Sequence, residues 1–311
     1  MCHVSLKDYL GETAIGSSFD DGGAVDQVSG THPFPWHVSN CGDIDLVGHQ
    51  KPQSLYRTVL WGAPASQVTV LVHRPIVGAK QHVYMDEYVS PWGWPDEEES
   101  WTWHGHEGTP LQVRVFAKGC REAVLSLDGK HVATAPFQPN LTAVFNRVDY
   151  HPGTLEVQAL HCQQDGNGRR RLTDGHAPKK MDGSGEFVNL TTSLSTTGAF
   201  AALRLAADRS TIRHDRGDLA YVTVEAIDAQ GRRVLGPDVD VTFAVSGSAA
   251  EVVAVGSGSP VDASSFLSLH QRTWRGRCVV ILRPAGADAG TIVLTATAQG
   301  VASVQLKITS V

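Results

Sequence analysis

Val124-Leu-Ser-Leu-Asp-Gly-Lys-His-Val-Ala133 decides the fold class of this chain. Two short runs with apolar residues at alternate positions flank Asp128-Gly129, and a strand places successive side chains on opposite faces. Asp-Gly tolerates the positive φ of a type I′ turn, whose twist suits two antiparallel strands. The stretch therefore reads as a β-hairpin, and the period of two continues on both sides of it. Upstream, Val68, Val70 and Val72 alternate with Thr69 and Leu71 before Pro75, and Leu111, Val113 and Val115 alternate with Gln112 and Arg114. Downstream, Thr142 to Tyr150 and Thr154 to Leu160 read as two more strands around His151-Pro-Gly153.

A second β region lies further along. Tyr221 to Glu225, Val241 to Val245, Cys278 to Leu282, Thr291 to Thr297 and Val304 to Ile308 alternate, with Val304, Leu306 and Ile308 on one face and Gln305 and Lys307 on the other. Short strands at regular spacing, separated by turns, suggest an immunoglobulin-like sandwich. The Cys…Trp…Cys pattern of antibody domains is missing, so this core is expected to hold by packing. Between the two regions, Gln163 to Gly185 is rich in Gly, Arg, Lys and Asp without periodicity. Arg169-Arg-Arg171 and Lys179-Lys180 there are either a basic docking patch or a solvated loop. Before the first strand, Gly16 to Pro35 reads as an irregular loop. Pro52 to Trp61 predicts a helix, with proline in its first turn and Leu55 and Val59 facing inward. The expected fold is mainly β, with β-sandwiches at 66–162 and 199–311, a linker or loop insertion at 163–198, and a separate N-terminal piece at 1–65.

Composition narrows the function. The 311 residues are 41% hydrophobic, enough to bury real cores, and the net charge of −6 points away from nucleic acid and anionic membranes as partners. No apolar run approaches the roughly 20 residues needed to span a bilayer. The start, Met1-Cys-His-Val-Ser-Leu-Lys7, lacks signal-peptide features. Taken as it begins, the chain is expected in the cytoplasm; an intact parent with a longer start leaves the periplasm or exterior open. The five cysteines are scattered and odd in number, which gives no metal knuckle or CxxC pair and reads as buried or incidental thiols. His104-Gly-His106 is the tightest histidine pair and has no third ligand at metal spacing. No metal and no cofactor are expected.

Four groups of residues resemble one known family in order. Asp8-Tyr-Leu-Gly-Glu12 and Asn40-Cys-Gly-Asp-Ile-Asp-Leu-Val-Gly48 resemble the run out of the last barrel strand of a family 2 glycoside hydrolase of the bacterial β-galactosidase type. Lys51-Pro-Gln-Ser54 through Leu60-Trp-Gly62 resembles its final barrel helix. Ser90-Pro-Trp-Gly-Trp-Pro95, Trp101-Thr-Trp103 and Glu122 to Lys130 resemble the β domain after the barrel, and Ala201 to Leu205, Asp208 to Ile212, Asp218 to Val224 and Val241-Thr-Phe243 resemble the last sandwich. The resemblance implies two tandem immunoglobulin-like β-sandwiches preceded by a truncated end of a (β/α)8 barrel. Members hydrolyse glycosides with retention, using two barrel glutamates that have no counterpart here. A complete barrel takes about 250 residues, against the span 1–65, and His3-Val-Ser-Leu-Lys7 stands where the family has an aromatic strand.

These departures set the functional expectations. The parent reaction is hydrolysis of terminal β-galactosides or related O-glycosides, and the chain alone is expected to be inactive. A retaining glycosidase needs two carboxyls about 5 Å apart across an enclosed sugar, which neither Asp8 with Glu12 nor Asp43 with Asp45 is expected to supply. In the complete enzyme, Asp8, Glu12 and Trp36 are candidate substrate-binding residues at the rim of the sugar site. The alternative is that they anchor the loop by side-chain hydrogen bonds. Asp96-Glu-Glu-Glu99 is either a calcium site or a solvated turn. Trp92, Trp94, Trp101 and Trp103 are either a sugar-stacking platform or packing against the barrel. Carbohydrate is thus a partner only in the intact parent, with the missing N-terminal half or self-association as further partners. A carbohydrate-binding scaffold and one half of a split glycosidase stay open as alternatives.

Overall fold

The computed structural model describes residues 6–12, 34–75, 93–163, 187–215, 217–236, 238–246, 250–286 and 289–311. The basic residues at 169–171 and 179–180, and Trp92, lie outside them. The fold is mainly β. After α1 (Ser54–Trp61) come β1 (Val68–His73), β2 (Glu97–Glu98), β3 (Pro110–Ala117), β4 (Glu122–Leu127), β5 (Lys130–Pro136), β6 (Thr142–Asp149), β7 (Thr154–Gln163) and β8 (Phe187–Ser195). They continue as β9 (Ala202–Ala207), β10 (Thr211–Ile212), β11 (Ala220–Ile227), β12 (Asp240–Ser246), β13 (Ala250–Gly256), β14 (His270–Arg272), β15 (Arg277–Pro284), β16 (Gly290–Ala298) and β17 (Val304–Ser310). Two compact units result. One holds Gln50–Thr196, and the other joins Thr197–Val311 to the N-terminal stretch that ends at His49.

In the unit Gln50–Thr196, the sheets β2-β1-β3-β6 and β5-β4-β7-β8 share one core. The alternation dictates which side chains enter it: Val70, Val72, Val113 and Val115 come from one sheet and Ala123, Leu125, Leu155 and Val157 from the other. Each fully buried valine or leucine contributes about 1.5–3 kcal/mol. The β4–β5 hairpin turns on Asp128 at φ 48° and Gly129 at φ 76°, the positive pair that its turn type requires. Helix α1 covers the opposite face of the first sheet, where Val59 packs with Leu71 and Phe116.

Two features of this unit differ from the sequence reading. Phe187–Ser195, expected to belong to a linker, is strand β8 and pairs antiparallel with β7 from Thr154↔Ser195 to Gln163↔Phe187. Its even-numbered residues are more buried than the odd ones that separate them. The cysteines were the second difference: Cys120 and Cys162 form a disulfide. Strands β4 and β7 pair with Glu122 opposite Leu160, so continuing that register two residues places Cys120 opposite Cys162. Neither the odd count nor the separation of 42 residues signals this pairing.

In the other unit, β10-β17-β16-β12-β14 and β13-β15-β11-β9 enclose the second core, built around Val222, Val224, Phe243, Leu282, Ile292 and Leu294. Cys278 lies in it as a free thiol, and burial pushes its pKa up to about 12. At the start of the unit, residues 6–11 run between two neighbours, with a parallel bridge Lys7↔Ile44 and an antiparallel bridge Leu10↔Val38. The stretch 34–49 is docked on the sheets of its own unit. His37 N donates to Pro260 O at 3.1 Å, and His49 Nε2 lies 3.3 Å from Thr223 Oγ1. Glycine makes this approach feasible: a Cβ on Gly256 would lie 2.9 Å from Val47 Cγ1, and one on Gly258 would lie 2.4 Å from Asp45 Oδ2.

Candidate functional site

The candidate residues of the N-terminal stretch sit on closely spaced backbone. Asp8 is buried, and its Oδ1 accepts from Gly42 N at 2.8 Å. Its own backbone N donates to Ile44 O at 2.9 Å, and Ile44 N donates back to Leu6 O at 3.0 Å. Gly42 permits this contact, because a Cβ there would lie 2.5 Å from Asp8 N. Trp36 is 2% exposed, and its Nε1 donates to Val38 O at 2.7 Å. Glu12 is exposed and accepts a hydrogen bond from the Tyr9 hydroxyl. That bond, with the nearby carboxylate charge, pushes the Tyr9 phenol up to about 12. Asp8 and Trp36 thus brace the loop, while Glu12 is turned to the surface.

Asp43 and Asp45, which share a face by spacing, are both buried. Asp45 Oδ1 accepts from Val47 N at 3.1 Å and His49 N at 2.8 Å, and its Oδ2 lies 3.6 Å from His49 Nδ1 and 3.9 Å from Arg277. Burial raises its pKa, but the His49 bonds and the Arg277 charge outweigh it and hold the carboxyl below its usual range. A carboxylate bonded in this way organises the loop around it.

The motifs of the other unit are also built into structure. Glu97 and Glu98 are not in a solvated turn; both are buried on β2, paired with His73 and Val72 of β1. Glu97 accepts a two-pronged bond from Arg114, and Asp96 lies 3.7 Å from Arg74. No group of three metal-ligating side chains occurs among the described residues. Trp101 is fully buried in its own unit's core, with its ring edge-to-face on Tyr150 at 5.2 Å and Nε1 donating to His151 O at 2.9 Å. Trp103 packs against the same core. Trp94 lies 5.6 Å from Tyr56 of α1, and the Arg57 guanidinium stands 5.4 Å over its ring. Trp101 therefore packs inside its own unit instead of forming a sugar platform. A cavity of about 450 Å³, lined from Asp238 to Trp274, lies in residues that no sequence motif marked.

Residues 203–307 match the family described as glycoside hydrolase family 2 C-terminal domain 5, and residues 108–164 match a domain of unknown function, DUF4982. Beta-galactosidase BoGH2A of Bacteroides ovatus is 30% identical over 223 residues, 70% of this chain and 22% of that protein. The chain resembles the C-terminal part of family 2 glycoside hydrolases. A solved glycosyl hydrolase family 2 member from Bacteroides cellulosilyticus superposes with a TM-score of 0.76 at 28% identity, over 98% of this chain and 35% of its own. A second structure from the same organism gives a TM-score of 0.68 at 27% identity, over 86% of this chain and 32% of its own. The chain thus spans 22% of the length of its curated family 2 relative.

Proposed function

We propose that this chain is the C-terminal, non-catalytic portion of a β-galactosidase-like family 2 glycoside hydrolase. It consists of two tandem immunoglobulin-like sandwiches and the closing end of a (β/α)8 barrel. The complete enzyme hydrolyses terminal β-galactosides or related O-glycosides, and this portion alone does not. One observation carries the reading. The buried acids Asp8, Asp45 and Glu97 direct their oxygens at the protein itself: Asp8 accepts from Gly42 N, Asp45 from Val47 N and His49 N, and Glu97 from Arg114. A glycosidase needs one carboxyl held up as a proton donor, opposite a second. These acids instead hold backbone amides and arginines in place.

In the complete enzyme, Glu12 with Tyr9 lies at the rim of the sugar site, and Asp8 and Trp36 fix the loop that presents them. Carbohydrate is then met only by the whole enzyme, and the N-terminal part is the partner. The test is to offer aryl β-galactosides and aryl β-glucuronides to the purified chain. No turnover beyond a heat-inactivated control is expected, and clear turnover of either substrate would refute the proposal.

A further inference from the structure

The cavity of about 450 Å³ in the C-terminal sheets is made by the connection from β13 to β14, by β14 itself and by the start of β12. Its size falls within the range of about 300–1,000 Å³ typical of small-molecule sites. Gln271 of β14 is 3% exposed and lines the wall. Its amide nitrogen donates to Asp262 Oδ2 and, at 3.2 Å, to Arg272 O, which leaves its buried Oε1 without a hydrogen-bond partner. Buried polar atoms are nearly always satisfied, so this acceptor asks for an explanation. Asp262 is held on several sides: Ser257 Oγ donates to its Oδ2 at 3.2 Å, and Ser264 N donates to its Oδ1 at 3.0 Å. At the mouth, the exposed Arg272 and Asp240 pair at 3.2 Å, and Trp274 adds a half-buried aromatic surface.

The lining chemistry excludes most ligand classes. Asp238, Asp240 and Asp262 against Arg272 leave an excess of negative charge, which disfavours phosphates and sugar acids. No three metal-ligating side chains converge among the described residues, so a divalent cation lacks its donor set. Serine, threonine, glutamine and aspartate in the wall make it too polar for a purely apolar ligand. A neutral molecule bearing adjacent hydroxyls meets every requirement. Carboxylates accept from its hydroxyls, serine and arginine donate to its oxygens, and an indole face packs on its C–H surface.

We propose that this cavity binds a neutral mono- or disaccharide, with Asp262 and Arg272 reading its hydroxyls and Trp274 lying against a ring face. The proposal rests on the cavity alone and is tested by binding, so it stands or falls separately from any turnover. The full chain would be titrated with methyl β-galactoside, lactose, cellobiose, glucuronate and inorganic phosphate, followed by calorimetry and by amide hydrogen exchange. Saturable binding of at least one neutral sugar is expected at or below about 10 mM, with new protection confined to residues 238–240 and 257–274. Asp262→Asn and the surface variant Arg272→Ala should each weaken binding about tenfold, because each removes a charge-assisted hydrogen bond. The proposal is overturned by any of three results: no neutral sugar binds, glucuronate or phosphate binds better, or protection appears elsewhere in the chain. Full affinity in both variants would overturn it as well. Should a variant fail to fold, the exchange map of the unmodified chain decides alone.

Discussion

Asp228→Asn should destabilise the C-terminal sheets, and the structure fixes both the size and the pH dependence of the loss. Asp228 follows β11 and is 2% exposed. Its Oδ1 accepts from Gln230 N and Arg232 N, both at 2.9 Å. Its Oδ2 accepts from Gly198 N and Arg232 Nε, both at 2.9 Å, and forms an ion pair with Arg232 Nη2 at 2.7 Å. The side chain thereby ties the entry to this unit, ahead of β9, to the turn that leaves β11. An asparagine can keep the first oxygen's bonds. Its amide nitrogen, however, would face the Gly198 N–H and the guanidinium, donor against donor. Hydrogen bonds to charged groups are worth about 1.5–3 kcal/mol each, and water reaching the half-exposed Arg232 recovers part of that. The expected net loss at pH 7 is about 2–4 kcal/mol.

Proton linkage gives a second, independent readout. Burial raises the Asp228 pKa, yet the bonds from Gly198 and Arg232 outweigh burial and lower it from 3.8 to about 2. A folded pKa below the unfolded one stabilises the protein above pH 4 and loses that contribution as pH falls through 2. At about 1.4 kcal/mol per unit, this amounts to about 2 kcal/mol. The gap between parent and variant should therefore narrow by that amount between pH 4 and pH 2. Because the chain has two compact units, amide exchange at Gly198, Gln230 and Arg232 should accompany urea unfolding, so that the affected unit is read directly. A variant within about 0.5 kcal/mol of the parent at pH 7, or a deficit that ignores pH, would refute the reasoning.

Other perturbations follow from equally local geometry. Gly258→Ala places a methyl 2.4 Å from Asp45 Oδ2 and should loosen the docked stretch 34–49, with faster proteolysis there and a loss of about 1–3 kcal/mol. Cys120 and Cys162 are bonded, so thiol titration of the unfolded chain should count at least two more thiols after reduction than before it; no increase on reduction would remove the Cys120–Cys162 bond. In the folded chain, Cys278 should resist alkylation at pH 8, because burial holds its thiol near 12. Glu97→Gln, which unpairs Arg114 beside a nearly buried partner, should cost about 3–5 kcal/mol, while replacing both residues by leucine should cost less than the two single changes together.

The strands that were legible in the sequence are those with one strongly apolar face. Leu111 to Val115 and Val304 to Ile308 alternate hydrophobic with polar residues, Val68 to Val72 keeps valine at every second position, and each lies within a strand. The Asp128-Gly129 turn was equally readable, because few residue pairs accept two positive φ angles in succession. Strand β8 was harder to see. Phe187–Ser195 carries Asn, Thr and Ser between its apolar residues, and it lies at the edge of its sheet, where burial on one side suffices. The short strands β10 and β14, of two and three residues, carry too few positions for any period to show.

The sites were less legible because their partners are distant in sequence. Asp45 meets Arg277 and Gly258, more than 200 residues away, and Cys120 meets Cys162 only through the β4–β7 register. The connection after β13 shows what sequence alone misses. Its glycines, Gly256 and Gly258, receive Val47 and Asp45 of the N-terminal stretch. Ser257, lying between those glycines, donates to Asp262 in the wall of the polar cavity. One short connection therefore holds the N-terminal stretch through its glycines and shapes the cavity through its serine. A larger residue at position 258 would act on both, since displacing Asp45 also moves the backbone that aims Ser257. The cavity's sugar affinity and the proteolytic protection of residues 34–49 should accordingly fall together in Gly258→Ala. If the two responses separated, the connection would be two independent loops that merely share residues.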